Sequence, residues 1–173
     1  MSSVIEPAPS GRARCRSCKG VLEKGALRFG AAVPNAFGSG EARHWYHLDC
    51  GAERRPEAFL EALDAAAEPP PAADELRRRA AIGIEHPRWT RVVKVERASS
   101  GRARCRHCKE TVDKDQLRLV LEYIEDGMAN AAGFVHPTCM REYAGTVEGL
   151  IERVERAGPL SAEDRAELEA AWA

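Results

Sequence analysis

Along each half of the chain the apolar residues come first in short runs broken by turn residues, and only later at helical spacing. Val21 and Leu22 stand before Glu23-Lys24-Gly25, and Leu27, Arg28 and Phe29 follow it. At the matching place in the second half, Thr111 and Val112 precede Asp113-Lys114-Asp115, and an apolar run from Leu117 to Leu121 follows. Both patterns predict short strands around a tight turn, paired antiparallel. Residues 90–98, with Val92, Val93 and Val95, predict a further strand entering the second half. The first half carries Pro7 and Pro9 there, so its first strand is expected to be short or absent.

Helical spacing takes over further on. Residues 57–67 place Phe59, Leu60 and Leu63 on one face, Pro69-Pro70-Pro71 stops that helix, and residues 72–82 form another. The second half repeats the scheme. Residues 147–156 turn Leu150, Ile151 and Val154 inward, Pro159 breaks the chain, and Ser161 caps a last helix. Ahead of each helical part a loop is expected. These elements imply an α+β fold of two small domains, each a short antiparallel sheet with C-terminal helices. The boundary falls near residues 83–87, giving domains over 1–85 and 88–173.

A repeat explains the two halves. Residues 10–19 and 100–109 share nine of ten positions, both reading Ser-Gly-Arg-Ala-Arg-Cys-Arg-x-Cys-Lys. The cysteine pairs are Cys15/Cys18 and Cys105/Cys108, and each is answered by a His-x-x-Cys, His47/Cys50 and His136/Cys139. This accounts for all 6 cysteines. The two intervening gaps, 28 residues from Cys18 to His47 and 27 from Cys108 to His136, are nearly equal. Thiolates and an imidazole in fours are the usual shell of structural zinc, so two closed zinc sites are expected. Disulfides are the alternative, but they have no use for a recurring histidine. His44 is not the expected ligand, because unit two has Gly133 there; His107 is expected on the surface and His86 in solvent.

Composition narrows the classes. The 10 aromatic residues divide evenly between the units, so each core is thin and a metal is needed to hold it. No apolar run is long enough to span a membrane, and the N-terminus lacks the pattern of a signal peptide, so an intracellular, unsecreted protein is expected. The formal net charge of −1 hides unequal segments. Residues 11–28 hold six Lys and Arg against Glu23, residues 91–118 hold nine against four acids, and residues 140–173 hold four against eight. Two local positive fields are what a polyanion would meet.

The residues at this point resemble the PARP-type zinc finger of poly(ADP-ribose) polymerases and of a nuclear DNA ligase. The resemblance rests on Ser10-Gly11-Arg12, Leu27-Arg28 and Trp45-Tyr46-His47-Leu48-Asp49-Cys50 in unit one. Unit two follows it through Arg118 but ends in Phe134-Val135-His136-Pro137-Thr138-Cys139. The resemblance implies recognition of DNA strand breaks without regard to base sequence. It implies phosphate contacts from Arg12 and Arg28, and from Arg102 and Arg118. It also implies an apolar loop capping an exposed base pair, here residues 33–37, with Phe37 stacking and Val33 and Ala36 beside it. In unit two the corresponding loop, residues 122–127, carries three acids, with Tyr123, Ile124 and Met128 as its apolar side chains.

Side-chain chemistry is compatible with that reading. Arginine forks grip phosphate oxygens at two points, and Arg12, Arg14, Arg16 and Arg28 cluster around one knuckle, as Arg102, Arg104 and Arg118 do around the other. Other assignments stay open: these arginines can be merely solvated, and Phe37 can fold back into the core. Trp45, beside a zinc ligand, is expected to pack. No catalytic motif is present, so an enzyme is not expected, nor a small-molecule substrate or a membrane partner. The expected partners are broken DNA and a repair protein acting in trans. A zinc-scaffolded protein adaptor and a binder of structured RNA ends are the competing functions.

Overall fold

Two prolines leave room for a first strand in unit one, but only a short one. In a computed structural model, which describes residues 2–173, β1 spans Val4–Pro7 and pairs antiparallel with β2, Leu27–Pro34. Pro7 ends the strand, where a missing N–H does least harm. Gly25, at φ 83°, makes the turn into β2, and Asp115, at φ 66°, does the same in unit two. Asp is among the few residues that accept this conformation at low cost.

β2 also pairs with β3, Glu41–His47, giving the order β1-β2-β3. The loop expected before His47 is therefore mostly strand. Its polar face hid the alternation: Arg43 and Trp45 lie opposite Ala32 and Gly30, while Tyr46 lies opposite Phe29 on the core side. α1, Leu48–Arg54, follows directly, then α2, Pro56–Ala65, and α3, Ala73–Glu85. Phe29 sits at the centre of the core, 5.3 Å from Phe59 edge to face and 6.0 Å from Tyr46. Gly51 lets α1 close onto that ring, since a Cβ there would stand 2.5 Å from it. Leu22, Leu63, Leu76 and Ala80 complete the cluster. Leu60, expected inward, is only half-buried.

Unit two begins with a 3₁₀ turn at Pro87–Arg91, which takes the first two residues of the strand expected over 90–98, and this turn buries Trp89. β4, Val92–Arg97, β5, Leu117–Glu125, and β6, Met128–Val135, follow in the order β4-β5-β6. The expected loop at 122–127 shrinks to a two-residue turn, with Asp126 at φ 49° and Gly127 at φ 77°. Asp-Gly with both φ positive is the tight hairpin turn that suits the twist of paired strands. After His136 come a 3₁₀ turn at Pro137–Cys139 and α4, Met140–Ala144, then α5, Leu150–Ala157, and α6, Ala162–Trp172. Ser161 caps α6, accepting from the N–H of Asp164.

One inward position in α5 differs from expectation. Ile151 is half-buried, and Arg153 is buried in its stead. Its guanidinium donates to the carbonyls of Trp89 (2.8 Å) and Thr90 (2.7 Å) and lies 4.7 Å from the Trp89 ring. A cation so satisfied can occupy a core that an aliphatic residue would otherwise fill. The chain divides into two compact units: one runs through Glu85 and includes Glu125–Met128, the other comprises His86–Ile124 and Ala129–Ala173. Among the described residues no helix is long and apolar enough to cross a membrane.

Candidate metal centres and nucleic-acid interface

The cassette folds into a knuckle before any metal is considered. The N–H of Cys15 donates to Gly20, that of Lys19 to Cys15, and that of Leu22 to Ala13. Cys105, Lys109 and Val112 repeat these bonds to Glu110, Cys105 and Ala103. Lys19 and Lys109, each directly after the second cysteine, adopt φ near 65°. Each lysine amine closes the turn by donating to a carbonyl inside it, Lys19 to Arg16 (2.7 Å) and Lys109 to Arg106 (2.6 Å). The tight turn aims both sulfurs of a pair one way.

His47 ends β3 and Cys50 lies in the first turn of α1, so strand end and helix start supply the other two ligands. The ligand atoms of Cys15, Cys18, His47 and Cys50 all lie within 4.8 Å of one another, as do those of Cys105, Cys108, His136 and Cys139. A tetrahedral zinc with bonds of about 2.0–2.3 Å needs its ligands about 3.5–3.8 Å apart. Cys18 Sγ to His47 Nδ1 is 3.3 Å, and Cys108 Sγ to His136 Nδ1 is 3.4 Å. Nε2 of His47 donates to the Val21 carbonyl at 2.9 Å, which fixes the tautomer and leaves Nδ1 for the metal. The donor sets fit two structural zinc ions, with all four positions of each supplied by protein.

Two of the three thiols of unit one favour thiolate. The hydrogen bond from Cys50 holds Cys15 down to about 3 and Cys18 to about 6, against the raising effect of burial. Cys50, on the other side of those bonds, is pushed far up. In unit two burial raises Cys105, but N–H groups of His136, Cys108 and His107 outweigh it and hold the thiol at about 6. Burial, then the hydrogen bond with Cys108, pushes Cys139 to about 12.

The expected DNA-facing arginines separate into two kinds. Arg12, Arg14 and Arg16, and Arg102 and Arg104, are exposed on the knuckles. Arg28 and Arg118 are buried, at 7% and 8% exposure. Arg28 lies 3.4 Å from the centroid of the Trp45 ring and 2.7 Å from Glu6; Arg118 lies 3.6 Å from Phe134 and 2.7 Å from Glu96. Trp45 itself lies across Gly30, where a Cβ would stand 2.6 Å from the ring. These carboxylate and aromatic partners were not foreseen from the sequence. Glu6 and Glu96 share the 90-residue offset of the cassettes, which is the signal that would have found them.

Of the apolar loop, Val33 lies in β2 opposite Ala42 and is buried, so it is not on the surface that the resemblance implied. Phe37 is at the opposite extreme, 99% exposed. Asn35 shapes its turn, its side-chain oxygen accepting from the Phe37 N–H and its own N–H donating to Gly40. His107 reaches Glu142 at 3.0 Å, and His86 is half-buried beside Gly145, not free in solvent.

Residues 6–83 match the family described as "Poly(ADP-ribose) polymerase and DNA-Ligase Zn-finger region". A poly(ADP-ribose) polymerase of Sarcophaga peregrina is 29% identical over 133 residues, covering 66% of this chain and 13% of the relative. Poly(ADP-ribose) polymerase 1 of Danio rerio is 29% identical over 132 residues, 66% of this chain and 12% of its own length. That of Gallus gallus is 27% identical over 154 residues, 78% and 15%. The chain thus spans only a small part of these relatives. With its ligand frame and knuckle in place, the first unit matches the PARP-type zinc finger over residues 6–83, and the second unit repeats the same metal frame.

Proposed function

We propose that the protein binds DNA strand breaks or ends, gripping backbone phosphates with its knuckle arginines and covering an exposed base face with Phe37. The observation that carries this reading is Phe37 itself. An aromatic ring 99% exposed at a turn shaped by Asn35 adds nothing to the core, and it belongs to the unit that matches the family. A broken end offers a base face that an intact duplex hides, and stacking on it is indifferent to sequence. Arg12, Arg14 and Arg16 stand exposed beside the same zinc knuckle, where guanidinium forks meet phosphate. Arg102 and Arg104 hold the matching places in unit two, and Arg28 and Arg118 form a second rank behind their aromatic and carboxylate neighbours. In this reading the fingers carry no chemistry of their own and bring a repair partner to the break.

Binding to nicked, blunt-ended and covalently closed circular DNA tests the proposal. Nicked or blunt DNA should bind tightly and closed circles weakly. Equal affinity for all three would leave a general polyanion binder in place of a break binder.

A further inference from the structure

Three arginines of unit two are held by carboxylates: Arg97 by Asp164 and Glu167, Arg165 by Glu155 and Glu169, Arg118 by Glu96. Three others share a cleft without one. Arg88 and Arg91, from the entry 3₁₀ turn, and Arg106, from the zinc knuckle, line one cleft of about 480 Å³ with Tyr123, Tyr143, Ala131 and Ala132. Among the described residues no carboxylate pairs with any of the three. Among the described residues their guanidinium hydrogen bonds go to neutral oxygens: Arg88 to the Tyr143 carbonyl (3.4 Å), Arg91 to the Tyr143 hydroxyl (3.4 Å), Arg106 to the Ala132 carbonyl (2.9 Å).

These contacts orient the guanidinium groups without neutralising them. Three positive charges converging without an anion repel one another, a cost that a bound anion would remove. The ring of Tyr143 backs Arg88 at 5.2 Å from its centroid and is itself buried, while Tyr123 is 39% exposed. The volume falls in the range of about 300–1,000 Å³ typical of small-molecule sites, and it is larger than a lone phosphate needs. A planar, exposed ring beside a trio of guanidinium groups suits a ligand that joins an aromatic base to a phosphate.

We infer that this cleft binds a phosphorylated nucleotide, its phosphate among Arg88, Arg91 and Arg106 and its base against Tyr123. Two sources supply that chemistry: a free mononucleotide, or the phosphorylated terminal nucleotide of a strand. Only the second source rests on the break-binding reading.

The test uses the full zinc-loaded chain, titrated by calorimetry with dAMP, deoxyadenosine and inorganic phosphate. dAMP should bind saturably, phosphate more weakly and deoxyadenosine least. Arg88→Ala should weaken dAMP binding about tenfold, the usual scale for losing a charge-assisted hydrogen bond. Arg88→Glu should abolish it. Arg88 is exposed, so zinc content and melting temperature should stay as in the wild type. Tyr123→Ala should bring dAMP down to the level of inorganic phosphate. A second arm compares duplexes whose one-nucleotide 5′ overhang carries a phosphate or a hydroxyl. Preference for the phosphate, lost in Arg88→Glu, assigns the cleft to strand ends; dAMP binding without that preference assigns it to the free nucleotide. Absence of saturable dAMP binding, or equal binding by wild type and Arg88→Glu, overturns the inference. Either result leaves the comparison of closed and broken DNA untouched.

Discussion

Glu6 and Arg28 face each other across the β1–β2 ladder, and Glu96 and Arg118 do so across β4–β5, each pair 2.7 Å apart. An arginine held this way is oriented but partly neutralised. Glu6→Gln should therefore release Arg28 toward phosphate, raising DNA affinity and steepening its salt dependence. Arg12→Ala should do the reverse, lowering the log–log salt slope by roughly one. Filter binding across a salt series reads both. If neither substitution changes the slope, the phosphate-binding surface lies elsewhere.

The zinc sites should act independently. Cys15→Ala removes a buried ligand, and metal binding supplies folding free energy to its own unit. The variant should hold one zinc per chain by elemental analysis. Amide exchange should speed up in residues of β1–β3 and remain slow around Trp89. Loss of both ions would show that the units fold as one.

Phe37→Ala should leave melting temperature and zinc content unchanged, since the ring contributes no buried surface. On nicked or ended DNA it should cost about 1–3 kcal/mol, and on closed circles close to nothing. Equal losses on both substrates would remove the stacking role.

Gly30 and Trp45 should be coupled. The indole occupies the space a side chain at position 30 would need. Unit two has Val120 and Phe134 at the matching places, with the arginine still on the ring. Gly30→Val alone should destabilise unit one by displacing Trp45, and adding Trp45→Phe should recover part of the loss. A double-mutant cycle in urea measures this, and an additive result would mean that ring and glycine do not depend on each other.

Acid should weaken the Glu96–Arg118 pair. Burial raises the Glu96 carboxyl, but hydrogen bonds from Arg118 and Lys94 outweigh it and leave the carboxyl below its ordinary range. A carboxyl lowered in the folded state stabilises fully above its unfolded value, about 4.3, and loses that contribution as pH falls through the folded value. The difference in urea midpoint between wild type and Glu96→Gln should hold near pH 6 and narrow on moving toward about pH 4. A difference that does not vary with pH would detach Glu96 from the fold's acid sensitivity.

The ligand sets, the strands from Leu27 and Leu117 and the helices after Cys50 were legible because each rests on a local pattern of spacing. The strands expected at Val21–Leu22 and Thr111–Val112 are only single bridges, Val21 to Arg14 and Thr111 to Arg104, because β2 and β5 pair with more distant strands. β3 was not, since one of its faces is polar and its alternation reads as loop. The turn at Asp126-Gly127 was hidden by the neighbouring acids, although Asp-Gly alone was sufficient signal. Arg153 could not be foreseen in the core, because what admits it are two carbonyls some sixty residues distant. Val33 was placed on the DNA side because the strand was expected to end earlier than it does. The exposure of Phe37 follows from Asn35, whose turn-forming side chain was in the sequence but was not read.

The lysine-locked knuckle bears on how the two halves have drifted apart. Its hydrogen bonds run through Ala13, Cys15, Arg16 and Lys19, with Cys15 and Cys18 also metal ligands, so a change at any of these positions disturbs the rest. The one difference between the copies is Ser17 against His107, and the histidine side chain turns outward to Glu142. Elsewhere the halves have changed freely, even exchanging Trp45 for Phe134 under an arginine. The knuckle behaves as a sealed part, inherited whole, while the strands and helices around it are the material from which each copy can acquire a task of its own.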